Sequence, residues 1–132
     1  MDAKAVYRKF VDEVVVGGNL DLIDTLFASD VMLPGQQTLD GLREQMRAQK
    51  RGLHLSVRNE HQFADGDWVI THMTVTGTMI GEFLGHPATG RTATTEEVEA
   101  VRVLDGRIVE MWNVIDMTRV LIDLGLPVPL RS

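Results

Sequence analysis

The 132-residue chain predicts an α+β fold. Three observations carry that prediction. Apolar residues return at every third or fourth position as far as residue 51, the texture then changes to runs rich in Val, Ile and Thr, and Asp-Gly pairs punctuate those runs. With helices first and strands afterwards, a curved antiparallel sheet wraps the N-terminal helices. Its strands carry polar groups on both faces, so some of that polarity points into an enclosed cavity and needs partners or a ligand there.

Each element has its own signal. Over residues 3–16, Val6, Phe10 and Val14 form one buried stripe with Ala3, Val11 and Val15 beside it. Gly17-Gly18 ends that helix, Asn19 can cap the next, and Leu22, Ile23, Leu26 and Phe27 give a second short apolar face. Pro34-Gly35 marks an irregular stretch, and residues 40–51 read as a third helix with Leu39, Leu42 and Met46 on one side. Its other side, Arg43, Arg47 and Lys50, reads as a solvated face. Residues 54–63 and 68–79 form a hairpin around Asp65-Gly66. The glycines and proline of residues 80–91 make a loop, and strands over 92–104 and 107–115 are joined by Asp105-Gly106. Val120, Leu121 and Leu124 space a last helix over 117–124, with Gly125 to end it and Pro127 to prevent extension.

Composition narrows the function. One domain over residues 1–132 suits the length, since a chain of this size buries roughly 70% of its unfolded surface in a single core. An apolar share of 44% and a charged share of 24% exclude a disordered or collagen-like chain, and the apolar runs are too short for a membrane span. Thirteen Lys and Arg against 19 Asp and Glu leave a net charge of −6, a field that repels phosphate backbones, so no nucleic-acid partner is expected. The absence of cysteine removes thiolate nucleophiles and zinc ribbons and fits a reducing cytoplasm. Residues 1–16 carry Asp12 and Glu13 and lack a small-residue cleavage pattern, so they read as structure and not as a secretion signal.

Phosphate-binding, nucleotide-binding and serine-hydrolase motifs are missing, and His54, His61, His72 and His86 are too scattered for a metal site. Acid–base chemistry without metal or cofactor remains. Asp116, between the last strand and the last helix, fits two roles: an N-cap, or a carboxylate at a cavity mouth with its pKa raised toward neutrality. Glu97 and Glu99 share a strand face with Val101 and Val103; turned inward, like charges so close would push one pKa up and set an acid beside a base. The opposite face, Glu96, Val98, Ala100 and Arg102, is no more polar, so periodicity leaves the two tied. His72 shares its face with Thr74, Thr76 and Thr78 and lines a pocket if that face turns in, or serves as a structural hydrogen bonder if it does not. Tyr7, one helical turn from Phe10, reads as a rim residue or a hydroxyl donor. Seven methionines suit an adaptable lining for an apolar ligand or simple gap filling.

The run Gly77-Thr78-Met79-Ile80-Gly81-Glu82-Phe83-Leu84-Gly85-His86-Pro87-Ala88-Thr89-Gly90-Arg91 resembles the SnoaL-like polyketide cyclase family. So do Val101-Arg102-Val103-Leu104-Asp105-Gly106-Arg107-Ile108-Val109-Glu110-Met111-Trp112, Asp116 and Leu124-Gly125-Leu126-Pro127, and with the helix pair over 10–28 the likeness covers nearly the whole chain. It implies the α+β cone shared with ketosteroid isomerase, scytalone dehydratase and limonene epoxide hydrolase. It further implies a cofactor-free intramolecular aldol closure on an aromatic polyketide ester, with Asp116 as the acid–base residue and His72 or Glu99 polarising the carbonyl. Glu97, Glu99 and Val101 would then face inward, and Phe10, His72, Met111 and Asn113 would line the cavity around a small hydrophobic or aromatic ligand. A homodimer through the outer face of the sheet is expected. Family imidazoles are replaced here by Met79, Glu99 and Met111. Phe10 and Pro34 stand where the isomerase has its tyrosine and base, and nothing around Phe83 and Gly85 matches the epoxide hydrolase's Arg-x-Asp pair. A binding module that lost the chemistry, or a hydrolase or dehydratase on the same cone, are the competing readings.

Overall fold

A computed structural model describes residues 2–129; Met1 and residues 130–132, the end of a tail from Val128 that the sequence leaves unassigned, lie outside it. Helix α1, Ala3–Lys9, starts on Asp2, whose carboxylate accepts from the Ala5 amide at 2.8 Å, and runs on as wider π-helical turns over Phe10–Val16. The stripe read from the sequence is buried, with Val6, Phe10 and Val14 1% exposed or less, and Tyr7, expected at a rim or as a hydroxyl donor, is buried beside it at 2%. After a 3₁₀ turn at Leu20–Leu22, α2 is a single turn, Ile23–Leu26.

The chain then departs from expectation. At Phe27, which the helical spacing includes in the second helix, the backbone extends into β1, Phe27–Met32. This strand lies parallel to β5, so the sheet is mixed and not purely antiparallel. Strand β1 has neither alternation nor a β-branched run, and only its partner in the sheet makes it extended.

Helix α3, Leu39–Gly52, is capped by Thr38 and followed by β2, Leu53–Asp65, β3, Trp68–Met79, β4, Thr92–Leu104, and β5, Arg107–Ile115. The order across the sheet is β1-β5-β4-β3-β2. Register irregularities fall between Asn59 and His61 on β2, and opposite Arg102 and Val103 on β5, the kind of bulge that bends a strand and increases its twist. Helix α4, Met117–Leu124, ends in a left-handed Gly125, with the Leu126 amide on the Leu121 carbonyl at 2.8 Å and the Gly125 amide on that of Ile122 at 3.0 Å.

Two apolar clusters hold the cone. One joins α1 and α2 to Val69, Met73, Val101, Ile108 and Met111; the other joins Leu53, Met79, Phe83 and Ala93 to Leu124 and Leu126. Between them the interior is open. At its rim, Gly52 and Gly81 let the end of α3 touch the segment after β3, since a Cβ on Gly81 would lie 2.4 Å from the Arg51 carbonyl oxygen. Among the described residues no helix is long and apolar enough to cross a membrane.

Candidate active site

The open interior is a cavity of about 1240 Å³. Its walls are mostly apolar, with Leu42 and Met46 from α3, Val57 and Val75 from the sheet, and Val120 from α4, though Gln45, Gln49 and Arg51 of α3 and Glu82 also border it. Its floor is not. Glu97 and Glu99 of β4 and Asn113 of β5 enter it beside Phe10, Met73 and Met111. Alternation along β4 puts Ala93, Thr95, Glu97, Glu99, Val101 and Val103 on the inner face, which resolves the tie left by periodicity.

Register explains how the polar groups meet. Gln62, Thr71, Glu99 and Asn113 are direct neighbours across β2, β3, β4 and β5, a polar rung beside Glu97 on the inner face. The Asn113 Nδ2 donates to Glu97 Oε2 at 2.9 Å, and from α1 the Tyr7 hydroxyl donates to Glu99 Oε1 at 2.8 Å. Burial pushes Glu97 above the ordinary carboxylate range, against the pull of the Asn113 amide. Glu99 is pushed up to about 8, first by burial and then by the field of Glu97, against the Tyr7 hydrogen bond. At neutral pH Glu99 therefore keeps its proton beside a second carboxyl. Burial and the neighbouring Glu99 raise the Tyr7 phenol, which stays a hydrogen-bond donor.

Other candidates fall outside this centre. His72 is on the outer face, its Nε2 2.7 Å from Glu96 Oε1 and its ring stacked on His61 with the two Nδ1 atoms 3.1 Å apart. The threonines that suggested a polar pocket pair across strands on that same outer face, Thr76 with Thr94 and Thr78 with Thr92. Asp116 is exposed and caps α4, its Oδ1 accepting from the Arg119 amide at 3.0 Å, so of its two roles the geometry realises the cap. Replacing it by alanine is expected to lower stability by about 1 kcal/mol in thermal or chemical denaturation. Val101 and Met79 are fully buried in the two clusters and do not line the cavity, because packing against helices takes up those positions. Phe10, Glu97, Glu99, Met111 and Asn113 stand where the resemblance places them. The Tyr7–Glu99 contact was missed, although Tyr7, Phe10 and Val14 share one face of the first helix. Among the described residues no group of three or more His, Cys, Asp or Glu side chains is placed to hold a metal ion.

Comparison with known proteins agrees with this architecture. Residues 5–124 match the model of the SnoaL-like polyketide cyclase, and the chain belongs to that family. It is similar to the aklanonic acid methyl ester cyclase DnrD of Streptomyces peucetius, 32% identical over 65 residues, a stretch that spans 49% of this chain and 45% of the relative. Among solved structures, AclR of Streptomyces galilaeus, described as a candidate hydroxylase, superposes with a TM-score of 0.80 at 29% identity over 95% of this chain and 97% of that one. IdmH of Streptomyces antibioticus, described as a candidate polyketide cyclase, gives 0.80 at 26% identity over 96% of this chain and 100% of its own.

Proposed function

We propose that this protein catalyses a cofactor-free proton transfer leading to intramolecular aldol-type ring closure of a polyketide-like or polycyclic aromatic small molecule. The observation that carries the reading is the carboxyl pair Glu97 and Glu99 on the floor of an apolar cavity, with Glu99 holding its proton up to about pH 8. In this reading Glu97 takes the proton from a carbon next to a carbonyl while protonated Glu99 gives its own to that carbonyl oxygen. The resulting enol carbon attacks a second carbonyl of the same molecule, and the proton on Glu97 quenches the new alkoxide as the enol proton returns to Glu99. Acid–base groups placed this way contribute typically 10²–10⁴-fold each. Met73, Met111 and Phe10 supply the apolar contacts, and Asn113 orients Glu97.

The floor also speaks to the ligand. Two carboxyls disfavour a free carboxylate on the bound molecule, and the relative DnrD is by name a cyclase of a methyl ester. Methyl esters of aromatic polyketide acids are therefore the first probes. Incubation followed by mass spectrometry is expected to return a product of unchanged mass and new retention time, lost in Glu99→Gln and kept in Asp116→Asn, whose amide oxygen still caps α4. A gain or loss of one water would point to hydrolase or dehydratase chemistry, and recovery of every ligand unchanged would leave a binding module. A homodimer through the outer face of the sheet belongs to the same reading, supported by exposed Phe63, Ile70, Trp112 and Val114 on that face, as does a cytoplasmic location, supported by the absence of cysteine.

A further inference from the structure

Glu99 is gripped from behind the cavity. Tyr7 is 2% exposed and does not line the cavity, yet its hydroxyl takes Glu99 Oε1 from the helix side. On the same inner face as Glu99, buried Thr71 lowers the proton affinity of the Tyr7 phenol, and half-buried Gln62 donates from Nε2 to Thr71 Oγ1 at 3.1 Å. Neither lines the cavity. The Tyr7 hydroxyl, which also lies 3.9 Å from Met73 Sδ, thus reaches a single carboxyl oxygen of Glu99. A buried phenol needs only some acceptor, and a backbone carbonyl would satisfy it. Here it is spent on a carboxyl that a ligand can reach, and the other oxygen of that carboxyl is left for Glu97 and the cavity.

We infer that Tyr7 is a positioning residue for the Glu97–Glu99 pair: by occupying Oε1 it turns Oε2 of Glu99 toward Glu97 and the ligand, so that the proton the pair shares sits on the reacting side. The inference rests on the acid–base reading of that pair, but its first test needs no substrate. Tyr7→Phe removes one oxygen and leaves the ring packing. Withdrawing a donor that favours the ionised carboxyl is expected to raise the Glu99 titration, followed by ¹³C-carboxyl NMR in the ligand-free protein, by about one pH unit. With a substrate in hand, the alkaline limb of the rate profile moves up by the same amount. The loss of about tenfold falls on kcat, with KM nearly unchanged because Tyr7 makes no cavity contact. A structural role alone would lower activity evenly across pH. If Tyr7→Phe does not fold, Thr71→Val keeps the tyrosine and is expected to move the same titration upward by less. An unmoved Glu99 titration in a folded variant overturns the inference. A moved titration in a protein that turns over no probe supports the positioning by Tyr7 and overturns the ring-closure reading.

Discussion

Glu99→Gln is expected to lower turnover by at least two orders of magnitude and, at the same time, to make the protein more stable at alkaline pH. Both effects come from one carboxyl. Its folded-state pKa of about 8 lies above the unfolded carboxylate value, so between the two the native state binds a proton that the unfolded chain has released. Stability then falls as pH rises from about 4.5 through about 8, since folding the deprotonated chain means either taking up a proton or burying a second charge beside Glu97. The glutamine is close to isosteric and does not titrate. It offers Glu97 an amide donor where the protonated acid offered a hydroxyl, and its oxygen can still accept from Tyr7. At pH 5 both proteins hold a neutral group at this position and are expected to unfold at similar denaturant concentrations. By pH 9 the variant is expected to be ahead by a few kcal/mol, on the order of the pKa difference converted at 1.36 kcal/mol per unit. Parallel stability curves from pH 5 to 9 would mean that Glu99 ionises freely in the folded state, and the acid half of the proposed mechanism would be lost. Glu97→Gln is expected to reduce turnover comparably with a smaller change in alkaline stability, because the Asn113 amide already offsets part of the burial of that carboxyl.

The elements that could be read from the chain were those whose local pattern and tertiary role agree. The stripe of Val6, Phe10 and Val14, the hairpin of β2 and β3, the pair β4 and β5 around Asp105-Gly106, and α4 before Gly125 all stand within a residue or two of their expected places. Strand β1 could not be read, because Phe27–Met32 is extended only through its parallel contact with β5. Site residues divided along the same line. Glu97 and Glu99 share a face by the period of two, but which face turns inward depends on the helices that cover it, and the family resemblance supplied what periodicity did not. For His72 the residue pattern leaves both faces open and the resemblance places it in the cavity, whereas its ring stands on the outer face against His61 and Glu96. The threonines on its face are satisfied on the outer side by neighbouring strands, Thr74 by Glu60, Thr76 by Thr94 and Thr78 by Thr92, an arrangement visible only once β2, β3 and β4 are in register. Asp116 carries both a capping position and a family aspartate, and with the helix in place its side chain is occupied by the Arg119 amide. The Tyr7 bond spans 92 positions in sequence, a separation that no local pattern reports.

Phe10→Ala should be the most damaging single truncation of the core, and it tests whether a dry floor is what sets the proton affinity of Glu99. The ring is 1% exposed, meets Phe27 edge to face at 5.1 Å between centroids, lies 6.4 Å from Tyr7 and forms part of the cavity wall. Removing it forfeits the transfer energy of a phenyl group and its packing, a loss of about 3–5 kcal/mol. The vacated space joins a cavity already there, so water can follow the lost ring to the carboxyls. Hydration favours the charged form, and the Glu99 titration is therefore expected to fall back from about 8 toward the ordinary carboxylate range. Phe10→Leu separates the two effects. It keeps most of the volume, is expected to cost about 1 kcal/mol, and should hold the titration near its wild-type position. If Phe10→Ala lowers stability by the expected amount and the Glu99 titration does not move, desolvation is not the source of the shift, and the field of Glu97 alone would have to supply it.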